Sequence, residues 1–259
     1  MKNIGFIGTG NMGGALISGI LKAGNYNVFV FDLNTESAKG FEVEGARVCT
    51  SIAELSVNVD AVVLTVKPAI YKAVCVELKQ AGYNKTVITV APGITIDKMK
   101  EMIGDARIVR TMPNTPALIG KGVFLVAGTK EENEDVEKLL STCGSVYFLD
   151  ESQMDAGVAL SGSSPAFVYE LINDIADGAA VLGIPKDKAL EIAAQTVVGS
   201  ALMVLQTDVY PEKLIDNVCS PGGTTIEAMN KLSELGFKDA IIEAMKACTN
   251  KAISMSKNM

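Results

Sequence analysis

The 259-residue sequence contains no histidine. Without an imidazole the chain cannot form a Ser-His-Asp triad, a histidine-ligated metal site or a histidine general acid. This absence excludes most hydrolase mechanisms. Any chemistry that the protein performs must therefore depend on other groups, and we predict no metal site.

The sequence also lacks clustered cysteines and an excess of positive charge. Its five cysteines are dispersed, with no C-x-x-C pair, which is typical of reduced and mostly buried thiols. The 30 acidic residues outnumber the 23 basic ones and give a formal net charge of -7, so we expect neither nucleic acid nor an anionic membrane as a partner.

No uncharged run is a convincing membrane segment. The longest, 192–207, is short and contains polar residues, and it is predicted to be a buried core helix. Because Met1 is followed almost directly by an apolar strand, we expect no signal peptide. The expectation is a soluble, cytoplasmic protein.

The pattern of apolar residues changes near Asp150. Before it, apolar runs alternate with helical patterns, as in parallel βαβ units. The predicted strands are 3–7, 27–32, 60–66, 86–90, 106–111, 122–127 and 145–149, and the helices between them include 12–23, 35–44, 69–81 and 131–142. Short links between the last strands are compatible with an antiparallel edge. The helices predicted after Asp150 are 151–160, 165–182, 187–206, 211–217, 224–235 and 238–256.

We therefore predict an α/β protein with two domains. Residues 1–150 form a Rossmann-type parallel-sheet domain, which binds a dinucleotide, and residues 151–259 form an all-α domain. Helices 165–182 and 187–206 are apolar on nearly every face, and a domain of this size cannot cover both of them. We expect them to be buried against a second copy of the chain, so that the protein is at least a homodimer.

The most informative segment is Gly8-Thr9-Gly10-Asn11-Met12-Gly13, which lies between an apolar strand and an amphipathic helix. In such a G-x-G-x-x-G motif the first glycine permits a tight turn. The second lets the backbone approach a pyrophosphate, and the third lets the helix pack against the strand. The sequence thus predicts a dinucleotide site, the alternative being a glycine turn in another kind of α/β protein.

The next strand ends at Asp32, near the spacing of the acid that binds the adenosine ribose. This acid favours NADH, since it repels a 2′-phosphate and no arginine follows closely. Asn34, Thr35 and Ser37 are candidates for weaker binding of that phosphate, so the cofactor is NADH or NADPH.

Two further segments leave the sheet at the edge where open α/β sheets bind ligands. Lys67 follows an apolar strand and could contact phosphate, ribose or substrate, or could simply be an exposed loop lysine. Asn114 lies in a loop stiffened by Pro113 and Pro116, which is either a structural turn or a rigid support for an amide that binds substrate.

The second strong motif is Ser220-Pro221-Gly222-Gly223-Thr224-Thr225-Ile226-Glu227. Thr224 and Glu227 have the spacing of a capping box, so Thr224 is predicted to cap a helix that starts at Thr225. Two glycines before a helix N-terminus leave backbone N–H groups open, as in a carboxylate site. An ordinary capped helix is the alternative.

Together these segments resemble the pyrroline-5-carboxylate reductase family over essentially the whole chain. The resemblance is carried by I-G-F-I-G-T-G-N-M-G-G-A-L at 4–16, V-K-P at 66–68, R-T-M-P-N-T-P at 110–116, L-S-G-S at 160–163 and, most specifically, D-N-V-C-S-P-G-G-T-T at 216–225. It implies hydride transfer from NADPH or NADH to the C=N carbon of the small molecule L-1-pyrroline-5-carboxylate, which gives L-proline. It also implies an interlocked dimer, often assembled into a decamer.

The resemblance also assigns roles by matching position. The segment from Gly8 to Gly13 would surround the pyrophosphate, and Val66, Lys67 and Pro68 would lie along the ribose and nicotinamide. The backbone N–H groups of Gly223, Thr224 and Thr225 would hold the substrate carboxylate, and the Thr225 hydroxyl would contact the ring nitrogen. A protonated imine needs orientation more than it needs an acid, which agrees with the missing histidine.

The chain departs from the family pattern at Ser164, where a glycine is usual, and at Pro92 in the segment after the strand predicted at 86–90. Two other functions compete with reduction of the imine. A β-hydroxyacid dehydrogenase needs a catalytic lysine early in the long helix, but residues 152–185 contain neither lysine nor arginine. A non-catalytic dinucleotide sensor would have no need of the 220–225 motif.

Overall fold

The computed structural model describes residues 1–257 and divides the chain into two compact units. The sheet unit comprises Met1–Pro165 and the segment from Ala247, and the helical unit comprises Ala166–Lys246. The strands are β1 (Asn3–Ile7), β2 (Asn27–Phe31), β3 (Arg47–Val48), β4 (Ala61–Leu64), β5 (Thr86–Thr89), β6 (Arg107–Met112), β7 (Gly122–Ala127) and β8 (Gly144–Leu149).

The α-helices of the described residues fall into two groups along the chain. Those that follow or separate the strands are α1 (Asn11–Ala23), α2 (Thr35–Lys39), α3 (Ile52–Asn58), α4 (Tyr71–Gln80), α5 (Ile96–Ile103) and α6 (Glu134–Leu140). Those after the last strand are α7 (Met154–Gly157), α8 (Ser164–Val181), α9 (Lys186–Gln206), α10 (Pro211–Val218), α11 (Thr224–Glu234) and α12 (Phe237–Lys257).

The strands form one sheet in the order β3-β2-β1-β4-β5-β6-β7-β8. All pairs from β3 to β6 are parallel, β7 runs antiparallel to β6, and β8 is parallel to β7. The strand order reverses between β1 and β4, which creates a switch point at whose carboxyl edge open α/β sheets bind ligands. The predicted α/β fold is confirmed, including the antiparallel edge.

Each face of the sheet is covered by a hydrophobic layer. Ile4 and Phe6 of β1 belong to the cluster that contains Leu16 and Ile20 of α1, whereas Ile7 belongs to the cluster that contains Leu55 of α3. Successive residues of a strand point to opposite faces, so β1 contributes side chains to both layers. Burial on both faces explains why its sequence is a continuous apolar run. This burial holds the carboxyl ends of β1, β2 and β4 in a fixed arrangement.

The structure differs from the sequence prediction at some element boundaries. The two-residue strand β3 and the helices α3 and α5 were not predicted, and the predicted helix 151–160 is a short α7 followed by a π-helical turn at Val158–Ser163. The predicted domain boundary after Asp150 coincides with the end of β8, whereas residues 151–165 pack with the sheet unit.

The long helices of the second half leave most of their apolar side chains exposed in the single chain. Only Ala189 and Ala193 of α9 are buried, and Leu205 is 72% exposed, so the expectation of a buried core helix at 192–207 is wrong within one chain. Among the described residues α9 is the one helix long and apolar enough to cross a bilayer by length and composition, which is weak evidence of a span. Exposed apolar area of this extent is also what an interface between subunits requires.

Candidate active site

The glycine motif forms a tight turn between β1 and α1. Gly8 has φ +104°, a conformation that favours glycine, and its N–H donates to the Phe31 carbonyl at 2.9 Å. A Cβ on Gly13 would collide with the Gly8 carbonyl oxygen and would lie 2.8 Å from Thr65 Oγ1. The first and third glycines are therefore required by packing alone, whatever ligand binds.

Gly10 is different because the space around it is open. It is the N-cap residue of α1, no side chain caps this helix, and a Cβ added at Gly10 would meet no atom within 4 Å. The first N–H groups of an α-helix have no partner within the helix, and they carry the positive end of its dipole. The backbone at Asn11, Met12 and Gly13 is thus an open anion site of the kind that binds a pyrophosphate.

Thr65 is a supporting residue that the sequence prediction missed. Its hydroxyl donates to the Gly8 carbonyl at 2.6 Å and lies 3.2 Å from the Ile7 carbonyl, so it ties the end of β4 to the glycine turn. The sequence feature that could have identified it is a polar residue directly after the apolar run 61–64.

Asp32 lies at the carboxyl end of β2 and is already hydrogen-bonded by the protein. Its Oδ2 accepts from the N–H of Thr9 at 2.7 Å and from the Thr9 hydroxyl at 3.0 Å, and its Oδ1 accepts from Asn34 N–H at 2.9 Å. Burial acts to raise the pKa of Asp32, but these hydrogen bonds outweigh it and hold the pKa below the ordinary value for an aspartate. The carboxylate thus stays ionised, and it braces the glycine turn in addition to any contact with a ribose.

Asn34 acts on the same network through its side chain. Its Oδ1 accepts from Ser37 N–H at 3.3 Å and caps α2, while Ser37 Oγ lies 2.8 Å from Thr9 Oγ1. Beside Asp32 a cavity of about 150 Å³ is lined largely by apolar side chains, including Phe31, Ile52 and Ile70. Its position at the end of β2 is where a dinucleotide places its adenosine.

The loop after β4 carries the predicted Val66, Lys67 and Pro68. Val66 also lines the cavity beside Asp32, whereas Lys67 is exposed, and its side chain has no ion-pair partner among the described residues. Behind this loop the buried Tyr71 hydroxyl donates to the Leu64 carbonyl at 2.7 Å, and burial raises the pKa of Tyr71 to about 12. The loop is therefore anchored by Tyr71 at the end of β4, while Lys67 remains exposed to solvent.

Asn114 has a different set of partners from the one expected. It is 6% exposed, its Nδ2 donates to the Ser161 carbonyl at 3.0 Å, and its Oδ1 accepts from Val123 N–H at 2.8 Å. Both ends of the amide are thus committed to the protein. Asn114 holds the π-helical turn and the start of β7 against the end of β6. These contacts favour the structural alternative over the predicted role in substrate binding.

The departure at Ser164 is accommodated by the same turn. A π-helical turn leaves carbonyls out of the regular i to i+4 pattern, and the Ser164 hydroxyl donates to the Ala159 carbonyl at 2.6 Å. The serine therefore stabilises the turn from within the sheet unit.

In the helical unit the glycine pair forms the turn into α11. Gly222 has φ +70°, and Gly223 N–H donates to the Ser220 carbonyl at 2.9 Å. This hydrogen bond removes Gly223 N–H from the expected carboxylate donors. Gly223, rather than Thr224, is the N-cap residue, because α11 begins at Thr224, and no side chain caps it. The predicted capping role of Thr224 is therefore wrong.

The N–H groups of Thr224 and Thr225 have no hydrogen-bond partner among the described residues. Thr225 is half-buried in the wall of a cavity of about 450 Å³ within the helical unit, lined mainly by apolar side chains of α9, α10 and α11. Its hydroxyl makes no hydrogen bond to another described residue. Thr224 and Thr225 thus present two free N–H groups and one free hydroxyl at the start of α11.

The fold and the glycine turn define a Rossmann-type dinucleotide-binding protein with a helical C-terminal half. Residues 3–93 match the family model described as NADP oxidoreductase coenzyme F420-dependent, and residues 151–255 match pyrroline-5-carboxylate reductase dimerisation. The chain is 38% identical to the pyrroline-5-carboxylate reductase of Escherichia coli, over 99% of both chains. It belongs to the pyrroline-5-carboxylate reductase family.

Solved structures agree with this assignment over nearly the full length. A pyrroline-5-carboxylate reductase from Coxiella burnetii superposes with a TM-score of 0.91 at 32% identity, covering 98% of both chains. The crystal structure of Plasmodium falciparum pyrroline carboxylate reductase with NADP bound gives a TM-score of 0.87 at 31% identity, again over 98% of both. The sequence-based family assignment is thus confirmed.

Proposed function

We infer that this chain is an NAD(P)H-dependent oxidoreductase that reduces L-1-pyrroline-5-carboxylate to L-proline, the last step of proline biosynthesis. The observation that carries this inference is full-length relatedness to pyrroline-5-carboxylate reductases, with both binding motifs intact in the chain. Against a β-hydroxyacid dehydrogenase stands the absence of lysine and arginine from residues 152–185, and against a non-catalytic sensor stands the intact 220–225 motif.

The residues of the sheet unit fit a nicotinamide dinucleotide. The open backbone at Gly10–Gly13 would bind the pyrophosphate, Asp32 would accept the adenosine ribose hydroxyls through its remaining lone pairs, and Lys67 would reach a phosphate or ribose. When bound, the reduced nicotinamide supplies the hydride for the C=N carbon. Asn34 caps α2 through its side-chain oxygen, so it is a weaker candidate for direct contact.

The residues of the helical unit fit a small carboxylate. The free N–H groups of Thr224 and Thr225 lie at the positive end of the 11-residue helix α11, where a carboxylate is stabilised by hydrogen bonds and by the dipole. The Thr225 hydroxyl would accept a hydrogen bond from the protonated ring nitrogen. Since such an imine is already electrophilic, the protein needs to orient it, and no histidine is required.

Membership of the family also supports proposals for the assembly and the location. The dimerisation match at 151–255 and the exposed apolar faces of α8 and α9 support a homo-oligomer, with a dimer as the basic unit and a decamer as the larger form. We place the protein in the cytoplasm, with no nucleic-acid or membrane partner.

The direct test is oxidation of NADPH or NADH by the purified protein, with and without pyrroline-5-carboxylate. The proposal expects oxidation that depends on the imine and yields equimolar proline. Oxidation that depends instead on a β-hydroxyacid or its keto acid would favour the dehydrogenase, and binding of dinucleotide without turnover of any substrate would favour the sensor.

A further inference from the structure

Arg110 is a buried cation with incomplete partners. It lies near the carboxyl end of β6, opposite Thr89 of β5, and its side chain is 2% exposed. Its Nη2 lies 2.6 Å from Asp155 Oδ1 and its Nη1 lies 3.5 Å from Glu151 Oε1, but Nε has no partner among the described residues. The cost of removing these charges from water offsets their attraction, so a buried ion pair of this kind is weak evidence of a stabilising role, and the position of Arg110 in the fold points to a different one.

Glu151 extends the cluster to a third segment. The oxygen that faces Arg110, Oε1, also accepts the N–H of Ile96 at 2.7 Å. Ile96 is the first residue of α5 and follows the loop 90–95 that leaves β5. Arg110 therefore ties together the end of β6, the loop after β5 and the segment 151–163, which we call the connecting segment.

This loop lies at the functional edge of the sheet. Asp32 marks the adenosine side on β2, and a dinucleotide crosses the switch point between β1 and β4, so its nicotinamide half falls on the side of β4 and β5. The Asn114 amide makes a second connection, from the end of β6 to Ser161 of the connecting segment. The loop and the connecting segment are thus both held from β6.

We propose that Arg110 is a positioning residue for hydride transfer. Through Glu151 and Asp155 it sets the distance between the loop 90–95 and the connecting segment, and thereby the shape of the nicotinamide side of the site. This inference rests on the proposed function. Its expected signature is a loss in kcat, because a displacement of about 1 Å at the reacting atoms is enough to slow a reaction by roughly a hundredfold.

The test compares Arg110→Met with Arg107→Met in the full chain. Arg107 lies at the amino end of the same strand and makes two hydrogen bonds to Asp135 and one to the Glu132 carbonyl, so its loss also removes a guanidinium network. We expect Arg110→Met to lower kcat at least about tenfold with a smaller change in KM. Arg107→Met should keep kcat within about twofold of wild type, even if it lowers the melting temperature as much as Arg110→Met does. Arg110→Lys, which keeps the charge near Asp155, should recover part of kcat.

Equal kcat for wild type and Arg110→Met, or equal losses in the two methionine variants, would overturn the proposal. If Arg110→Met does not fold, two variants of the half-exposed Glu151 test the proposal instead. Glu151→Gln keeps an acceptor for Ile96 N–H and should keep more than about half of kcat, whereas Glu151→Ala should lose at least about fivefold. Full activity of Glu151→Ala would refute the role, and a wild-type chain that never reduces the imine would refute the proposed function instead.

Discussion

Alanine substitutions at Gly13 and Gly10 should separate folding from cofactor binding. The Cβ of Gly13→Ala would overlap the Gly8 carbonyl oxygen, which is held in place by Thr65 Oγ1 at 2.6 Å. Overpacking against rigid backbone is expected at the upper end of the usual range, about 3 kcal/mol, of which the helix propensity of alanine offsets about 1 kcal/mol. The net loss of about 2 kcal/mol should lower the melting temperature by roughly 4–8 °C in a chain of this size.

Gly10→Ala should have the opposite profile. Gly10 has φ -68°, which alanine adopts freely, and the added Cβ meets no protein atom within 4 Å. Stability should therefore change by less than about 1 kcal/mol. The methyl group would occupy the space through which the backbone approaches the pyrophosphate, so the Kd for NADPH should rise at least about tenfold, or about 1.4 kcal/mol.

The two variants are compared by calorimetry and by fluorescence titration with NADPH. Wild-type NADPH affinity in Gly10→Ala would show that the pyrophosphate does not lie on this turn. A wild-type melting temperature in Gly13→Ala would show that the close approach of α1 to Gly8 is not rigid.

Thr225→Ala should lower kcat/KM for pyrroline-5-carboxylate by roughly ten- to a hundredfold without changing NADPH affinity. Because Thr224 does not cap α11, Thr224→Ala should change the free energy of unfolding by less than about 0.5 kcal/mol. Full activity of Thr225→Ala in kinetics, or a larger loss of stability of Thr224→Ala in calorimetry, would contradict these roles. NADH should be used at least as well as NADPH, since Asp32 repels a 2′-phosphate, and a tenfold kcat/KM preference for NADPH would contradict this. Because the pKa of Asp32 is lowered on folding, its stabilising contribution is complete above its unfolded pKa of about 3.9 and is lost as the pH falls through the folded pKa. The stability difference between wild type and Asp32→Asn should therefore narrow below about pH 4, and denaturant titrations showing no such narrowing would refute the role of this carboxylate. Light scattering should give a mass of at least two 27.2 kDa chains, and a stable monomer would contradict the predicted interface.

The parallel sheet and the glycine turn could be predicted because each depends on local sequence. Buried parallel strands need continuous apolar runs, and the turn needs glycine at Gly8 and Gly13 for reasons of packing with adjacent segments. β3 could not be predicted in this way, because its two residues pair with β2 at the edge of the sheet and carry no periodic pattern.

The errors in the candidate site share one physical cause. Asn114 was given a role from its place in a rigid loop and Thr224 from its spacing to Glu227, but hydrogen-bond partners depend on what the fold places beside each group. Asn114 meets Ser161 from 47 residues away, and Gly223 N–H meets the Ser220 carbonyl because Gly222 turns the chain back. Arg110 was quoted within a motif, yet its burial with Asp155 depends on contacts 45 residues apart.

The most direct test of the central claim follows the hydride itself. The protein is incubated with pyrroline-5-carboxylate and with NADPH deuterated at both C4 positions, and the product is analysed by mass spectrometry. We expect L-proline one mass unit heavier, with the deuterium on the carbon that carried the C=N bond. Unlabelled proline, or no proline while the dinucleotide remains reduced, would contradict the assignment of this chain as a pyrroline-5-carboxylate reductase.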